Sequence, residues 1–270
     1  MSIQSEKCAA FRQLHQRDGA FIIPNPWDVG SAKMLQGLGF EALATTSAAF
    51  ALTLGCADGE VTLEQKLEHC RTIASATSVP LNADFENGFA DDPKTAAANI
   101  LRAVETGIAG CSIEDFSRES QTLYDFNLSV ERVQAAAEAL ASLGMDFQLT
   151  ARAENLLRGV NDLDDTIKRL QAYSKAGANV LYAPGINSLD QLRQVTNEID
   201  KPLNVLVPFF QSVSVEEFAA AGATRISLGS ALNSACLSPL IAAGREMLQN
   251  GSFEWTAGMA SPKDVQELLG

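Results

Sequence analysis

The chain has 270 residues, 46% hydrophobic and 7% aromatic, enough for a well-buried core in one large α/β domain or two smaller ones. Twenty basic residues against 33 acidic give a net charge of −13, a surface that repels phosphate backbones and argues against nucleic acid as a partner. No apolar run approaches the ~18 residues of a membrane span, and the first residues lack the apolar stretch of a signal peptide. The five scattered cysteines show no C-x-x-C spacing and read as reduced thiols of a cytoplasmic protein.

One pattern recurs along the chain: a helical stretch, a glycine, two or three residues, then a short β-rich run. Gly39, Gly107, Gly144, Gly177 and Gly222 each mark such a passage. Helix starts are announced by Thr62 with Gln65, Ser188 with Gln191, Ser214 with Glu217, and Asp92 before Pro93. Eight strands are expected near residues 20–24, 41–46, 79–84, 110–115, 147–152, 178–183, 202–207 and 224–228. Several are largely apolar, as buried parallel strands are. Eight β/α units in this length predict a (β/α)8 TIM-type barrel over residues 1–250. No G-x-G-x-x-G follows the first strand, so an open dinucleotide-binding sheet is the weaker alternative. Helical patterns from Ser238 to about Asn250 and from Ser261 to Leu269 end the chain, the tail 251–270 packing outside the barrel or on a neighbouring subunit.

Active sites of such barrels lie at the C-terminal ends of the strands, so the residues expected there are read together. Strand one ends in Trp27 and Asp28, strand two in Ser47 and Ala48, with Asp58 in the loop beyond. In LNADFENGFA, Asn82, Asp84 and Glu86 alternate with apolar residues and share one face. Glu114 and Asp115 end strand four; Arg152, Glu154 and Asn155 end strand five; Tyr182 ends strand six. Oxygen donors of this type suit Mg²⁺, with a substrate carboxylate chelating the metal and pairing with the guanidinium. Each residue also has a plain structural reading: Asp58 as a turn, Glu114–Asp115 as a cap, Arg152 as an ion-pair partner of Glu154 or Glu114, Trp27 as packing. The two histidines, His15 and His69, fall in helical stretches, which argues against His-based acid–base work and His-ligated zinc. The lysines, Lys66 among them, also fall in helical patterns, leaving no Schiff-base nucleophile at a strand end.

These residues resemble those of the isocitrate lyase/phosphoenolpyruvate mutase superfamily, from about Phe21 to Gly229. The points of likeness are Ser47-Ala48, Asp58, the NAD of LNADFENG, the IED ending strand four, and the AR of TARAEN. The resemblance implies Mg²⁺ (Mn²⁺ as the alternative ion) and enolate chemistry on a small 2-oxo or 2-hydroxy acid. It implies Asp84, Asp58 and Glu114 around the metal, with Asn82 where a carboxylate is usual and Glu86 supplying the missing charge. Ser47 and Ala48 would hold a substrate carboxylate, Arg152 the substrate or enolate oxygen, and Trp27 would face the substrate, while Tyr182 stands where some members carry a polar residue. Arg152, Glu114 and Tyr182 are the expected catalytic residues, with proton return to the enolate from water or a tyrosine, and Asn155 is expected beside the substrate. The loop 117–126, SRESQTLYDF, lacks the cysteine of the family's K-[KR]-C-G-H lyase loop, and Thr122 stands where the mutases carry an asparagine, the nearest being Asn127. The expectation is therefore a Mg²⁺-dependent lyase or decarboxylase, with a C–P bond mutase or hydrolase and a non-catalytic carboxylate-binding protein as alternatives. The family also implies a homodimer or homotetramer exchanging its C-terminal helix, and a gating role for loop 117–126.

Overall fold

The computed structural model describes residues 2–270. Its strands are β1 (Phe21–Ile23), β2 (Leu43–Ala44), β3 (Leu81–Asp84), β4 (Gly110–Glu114), β5 (Phe116–Ser117), β6 (Thr122–Leu123), β7 (Gln148–Arg152), β8 (Val180–Tyr182), β9 (Leu203–Leu206) and β10 (Arg225–Ser227). Eight of them form one parallel sheet in the order β1-β10-β9-β8-β7-β4-β3-β2, and all eight lie where the sequence places them. The remaining pair, β5 and β6, forms a small antiparallel hairpin inside the expected loop. The sheet curls into a nearly closed (β/α)8 barrel. Between β1 and β2 the seam is held by Ala44 N–H donating to Pro24 O (3.0 Å). Asn25 reinforces it, donating to Ala44 O (3.1 Å) and accepting from Leu228 N–H (2.8 Å).

Alternation along the strands sorts the side chains. Leu81, Ala83, Cys111, Ile113, Leu149, Ala151, Leu181, Val205 and Ile226 join one hydrophobic core between sheet and helices. The opposite set is buried and polar: Asn82, Ser112, Gln148, Thr150, Asn204, Arg225 and Ser227. A barrel interior is ordinarily filled by branched apolar residues, so a polar interior marks where chemistry is housed.

The helix starts at Thr62 and Ser214 carry complete capping boxes, and Asp92 caps the helix opened by Pro93. Gly177 and Gly222 adopt φ +107° and +91°, and a Cβ there would lie 2.7 Å from Ala137 Cβ and 2.6 Å from Thr196 Oγ1. These two need glycine for both conformation and space. The N-terminal helix Ile3–Gln16 covers the lower mouth of the barrel. Its Phe11 is fully buried beside Gly110, and Gln4 donates to Val104 O and Ile108 O.

One helix differs from expectation. It runs Ala231–Asn250, seven residues N-terminal of the start expected at Ser238, with Pro239 inside it. A proline removes one helical hydrogen bond, and here Ser238 Oγ bonds back to Ser234 O (3.1 Å) beside the break. The chain then turns at Gly251, and the last helix, Pro262–Leu269, lies on the helix Val29–Gly37. At Gly37 a Cβ would stand 2.2 Å from Leu268 O, so this seat admits only glycine.

Candidate active site

The register of the parallel ladder sets the site. Glu114 pairs with Arg152 and Arg152 with Tyr182, while Asp84 pairs with Ser112 on the other side. Four successive strands thus deliver their last inward residues to one ring. Above it lies a cavity of about 200 Å³ lined by Ser47, Ala48, Asn82, Asp84, Arg152 and Tyr182 among others. Six of the residues expected at the site therefore share one wall.

Arg152 is the hub. It donates to Asp84 Oδ1 (2.8 Å) and Glu154 Oε1 (2.9 Å from Nε), and Nη2 lies 3.4 Å from Glu114 Oε2. The structural reading of Arg152 as partner of Glu114 and Glu154 and the reading of it as a site residue hold together, because the cavity borders the same side chain. Asp84 also accepts from Ser47 N–H (3.2 Å) and Ser112 Oγ (3.4 Å). Burial works against its charge, but Arg152, Lys66 and the Ser47 amide outweigh this and hold its pKa below the ordinary value. Glu114 and Glu154 are pushed the other way, by burial first; Glu154 adds repulsion at Glu114, as Asp115 does at Glu154. The Tyr182 phenol is raised to about 12, chiefly by burial, so it keeps its proton at neutral pH.

The expected convergence of Asp58, Asp84, Glu86 and Glu114 into one cage needs correction. Among the described residues no group of three or more His, Cys, Asp or Glu side chains is placed to hold a metal. The acids divide chiefly between two arginines, with Arg158 Nη2 also 3.5 Å from Glu154 Oε2 and 3.9 Å from Glu114 Oε1. Arg152 takes Asp84, Glu114 and Glu154; Arg118, from the β5–β6 hairpin, takes Glu86 (2.8 Å) and Asp58 (3.4 Å). Glu86 therefore neutralises Arg118 instead of supplying charge beside Asn82. Two other expectations are also displaced. Asn155 donates to Asp162 O and Thr166 Oγ1, fixing the segment after β7, and Trp27 lies off the cavity with its carbonyl accepting from His69. Asp115 is bound by Arg169, Tyr173 and the Glu154 amide, and buttresses β4 from behind.

The oxygen donors that remain free are informative. Asn82 Oδ1 and Glu114 Oε1 are buried and accept no hydrogen bond, and Asp84 faces the cavity. Buried acceptors without donors are rare unless an ion or water completes them. Carboxylate and amide oxygens of this kind suit Mg²⁺, so Asp84, Asn82 and Glu114 are the residues that would hold such an ion.

Two groups beside Asp84 and Glu86 have no counterpart among the sequence expectations. Lys66 lies on a helix, yet its fully buried chain brings Nζ to Thr45 Oγ1 (3.1 Å), beside the Asp84 backbone, whose N–H donates to the same hydroxyl (2.9 Å). Arg118 is the one basic residue of the loop 117–126, a signal available in the sequence.

Glu86 makes a pH prediction. Burial, partly offset by Arg118 and Lys66, raises its pKa from 4.5 to about 7. The folded chain then binds more protons than the unfolded one between those values, so stability falls as pH rises through that window, by roughly 3 kcal/mol for this group. Urea unfolding at pH 5 and pH 7.5 should show the loss in the native chain and a flatter profile in Glu86→Gln.

A nearly closed parallel barrel whose strand ends present an arginine, a carboxylate, a tyrosine and backbone amides to a small polar cavity has the architecture of a (β/α)8 barrel with a candidate site at the C-terminal ends of its strands. Residues 11–248 match the model of the family described as phosphoenolpyruvate phosphomutase. The chain belongs to that family, within the isocitrate lyase/phosphoenolpyruvate mutase superfamily of lyases and mutases. A crystal structure from Burkholderia cenocepacia J2315, assigned only provisionally as a lyase/mutase, superposes with TM-score 0.94 at 45% identity, covering 98% of this chain and 95% of that one. The 2,3-dimethylmalate lyase structure gives TM-score 0.85 at 26% identity over 98% and 95%. The oxaloacetate decarboxylase of Pseudomonas entomophila is 29% identical over 206 residues, 72% of this chain and 68% of that protein.

Proposed function

We propose that the protein is a Mg²⁺-dependent lyase or decarboxylase of a small 2-oxo or 2-hydroxy (di)carboxylic acid, acting through an enolate. The observation that carries this is Arg152, a buried guanidinium fixed by three carboxylates and bordering a cavity of about 200 Å³. A fixed positive charge at the wall of a small cavity is what a developing enolate oxygen needs. The activities named for the decarboxylase and the dimethylmalate lyase relatives support the same bond class.

In this reading the substrate carboxylate lies at Ser47 and Ala48, whose position opening the helix Ser47–Thr53 leaves the Ala48 N–H without an intrahelical acceptor. Mg²⁺, when bound, withdraws charge from the carboxylate and carbonyl oxygens as a Lewis acid. For a 2-oxo dicarboxylate the C3–C4 bond breaks and its electron pair becomes the C2–C3 double bond. The carbonyl pair moves to the C2 oxygen beside Arg152, and carbon dioxide leaves. Tyr182, protonated and on the cavity wall, gives its phenolic proton to C3, and water restores it.

The C–P bond reading is less well supported. Thr122 lies on β6 and Asn127 in the helix Phe126–Ala141, and neither borders the cavity. The test is turnover of a panel of 2-oxo acids with Mg²⁺ and with EDTA, alongside phosphorus NMR on phosphonopyruvate. Metal-dependent release of carbon dioxide or a cleaved 2-oxo acid is expected. Metal-independent turnover, or phosphonopyruvate as the one substrate consumed, overturns the proposal.

The same reading includes a homodimer or homotetramer. Leu240, Ile241 and Leu248 stand exposed along the helix Ala231–Asn250, followed by exposed Phe253 and Met259, a surface that a second copy would cover. Sedimentation should give a mass of two or four chains, and truncation after Asn250 should weaken the assembly. Five free cysteines, three of them buried, favour a reducing, cytoplasmic setting.

A further inference from the structure

The floor of the same cavity holds a second cation that the scheme above does not use. Arg225 opens β10 and faces inward by the same alternation that turns Ser227 to the cavity, and both border it. It is buried to 3% exposure. Its Nε donates to Asn204 Oδ1 (2.8 Å), and Nη1 faces His15 Nε2 at 3.4 Å. The Asn204 amide is fixed in turn, its Nδ2 donating to Ser227 Oγ (2.9 Å). His15 brings no negative charge. Its Nδ1 bonds to Phe11 O (2.8 Å), leaving a lone pair at Nε2, and burial with Arg225 alongside lowers its pKa to about 3.

Other buried guanidiniums are compensated. Arg152 and Arg169 each have carboxylates, and Arg132 donates to the carbonyls of Asn87, Ala90 and Asp91. Arg225 has none: among the described residues no carboxylate oxygen lies within 4 Å of it, and its Nη2 has no hydrogen-bond partner. A buried charge without a counter-ion is costly and is retained where a ligand supplies the partner.

We infer that Arg225, positioned by Asn204, is an anion subsite on the cavity floor that takes the second carboxylate of a dicarboxylate substrate, opposite the Asp84–Arg152 end. The assignment of the two ends rests on the enolate reading above. At about 30 Å³ per water, the cavity's 200 Å³ is worth roughly six or seven waters, room for a four-carbon diacid. The subsite thereby selects dicarboxylates over monocarboxylates such as pyruvate.

The test compares two probes by calorimetry on the full-length protein with Mg²⁺: oxalate, which reaches only the Asp84–Arg152 end, and malate, which spans to the floor. Arg225→Gln should weaken malate about 30- to 100-fold and leave oxalate within about twofold. Arg225→Lys, which keeps the charge without the fork, should lie between the two for malate and stands in if the glutamine variant does not fold. Malate binding to Arg225→Gln or Arg225→Lys as tightly as to the native protein overturns the subsite. The two readings fail separately. Oxalate binding with malate indifferent to Arg225 removes the subsite and leaves the enolate site. Arg225-dependent malate binding by a protein that ignores oxalate supports the subsite and removes the enolate reading.

Discussion

Arg152→Gln is expected to lower kcat/KM by about 10²- to 10³-fold, the loss seen when one donor to a developing oxyanion is removed. It should also cost about 3–5 kcal/mol of folding stability, because breaking a buried ion pair leaves its partner charge unpaired. Here Asp84, Glu114 and Glu154 all face this guanidinium, and Arg158 reaches only Glu154 (3.5 Å) and Glu114 (3.9 Å), from farther off. Glu114 and Glu154 are already held above their ordinary pKa by burial, so without Arg152 they take up protons more readily still. Carboxyls with raised folded-state pKa values lose stability as pH rises. The deficit of Arg152→Gln measured by urea unfolding should therefore be larger at pH 8 than at pH 5.5. Arg152→Lys should not rescue activity, since a single ammonium cannot bridge three carboxylates in the geometry of the planar fork.

Asp84→Asn is the second large effect, and it separates chemistry from folding. Asp84 is the acid that both faces the cavity and accepts from Ser47 N–H and Arg152. The charge of this carboxylate is maintained by Arg152 and Lys66 against burial. Removing it should lower turnover about 10²-fold or more and abolish the response to added Mg²⁺. The fold should survive with a loss of about 1–2 kcal/mol, since Arg152 keeps Glu114 and Glu154 and an amide of the same shape still accepts from Ser47. Activity assays over a Mg²⁺ series and thermal unfolding of the same preparation measure the two effects separately.

The barrel was legible because its signals are local: short apolar runs, glycines after helices, and caps before them. The wall formed by Asn82, Asp84, Arg152 and Tyr182 was legible because parallel strands end at one face and the two-residue alternation fixes which side chains turn inward; Ser47 and Ala48, on the helix after β2, were legible through the family resemblance. What the sequence hid depends on long side chains crossing between elements. Lys66 reaches in from a helix, and Arg118 reaches from a hairpin to claim Glu86 and Asp58. Neither contact has a signature in spacing. Asn155 was misassigned for a related reason, since it lies past the end of β7, where strand alternation no longer directs the side chain and a helix-side partner, Thr166, captures it. Arg225 lies inside a β-rich run with no motif to mark it, although the period that turns Ser227 inward turns it inward too. The helix around Pro239 is the opposite case: Ser238-Pro239 has the form of a helix start, yet the neighbouring turns carry the proline inside the helix.

A Mg²⁺-assisted site for an enolate at the Asp84–Arg152 end of the cavity is tested most directly by titrating oxalate, an enolate mimic, into the native protein and Asp84→Ala with Mg²⁺ and with EDTA. Tight binding that requires both the ion and Asp84 is the predicted result. Oxalate binding that persists in EDTA and in Asp84→Ala would contradict it.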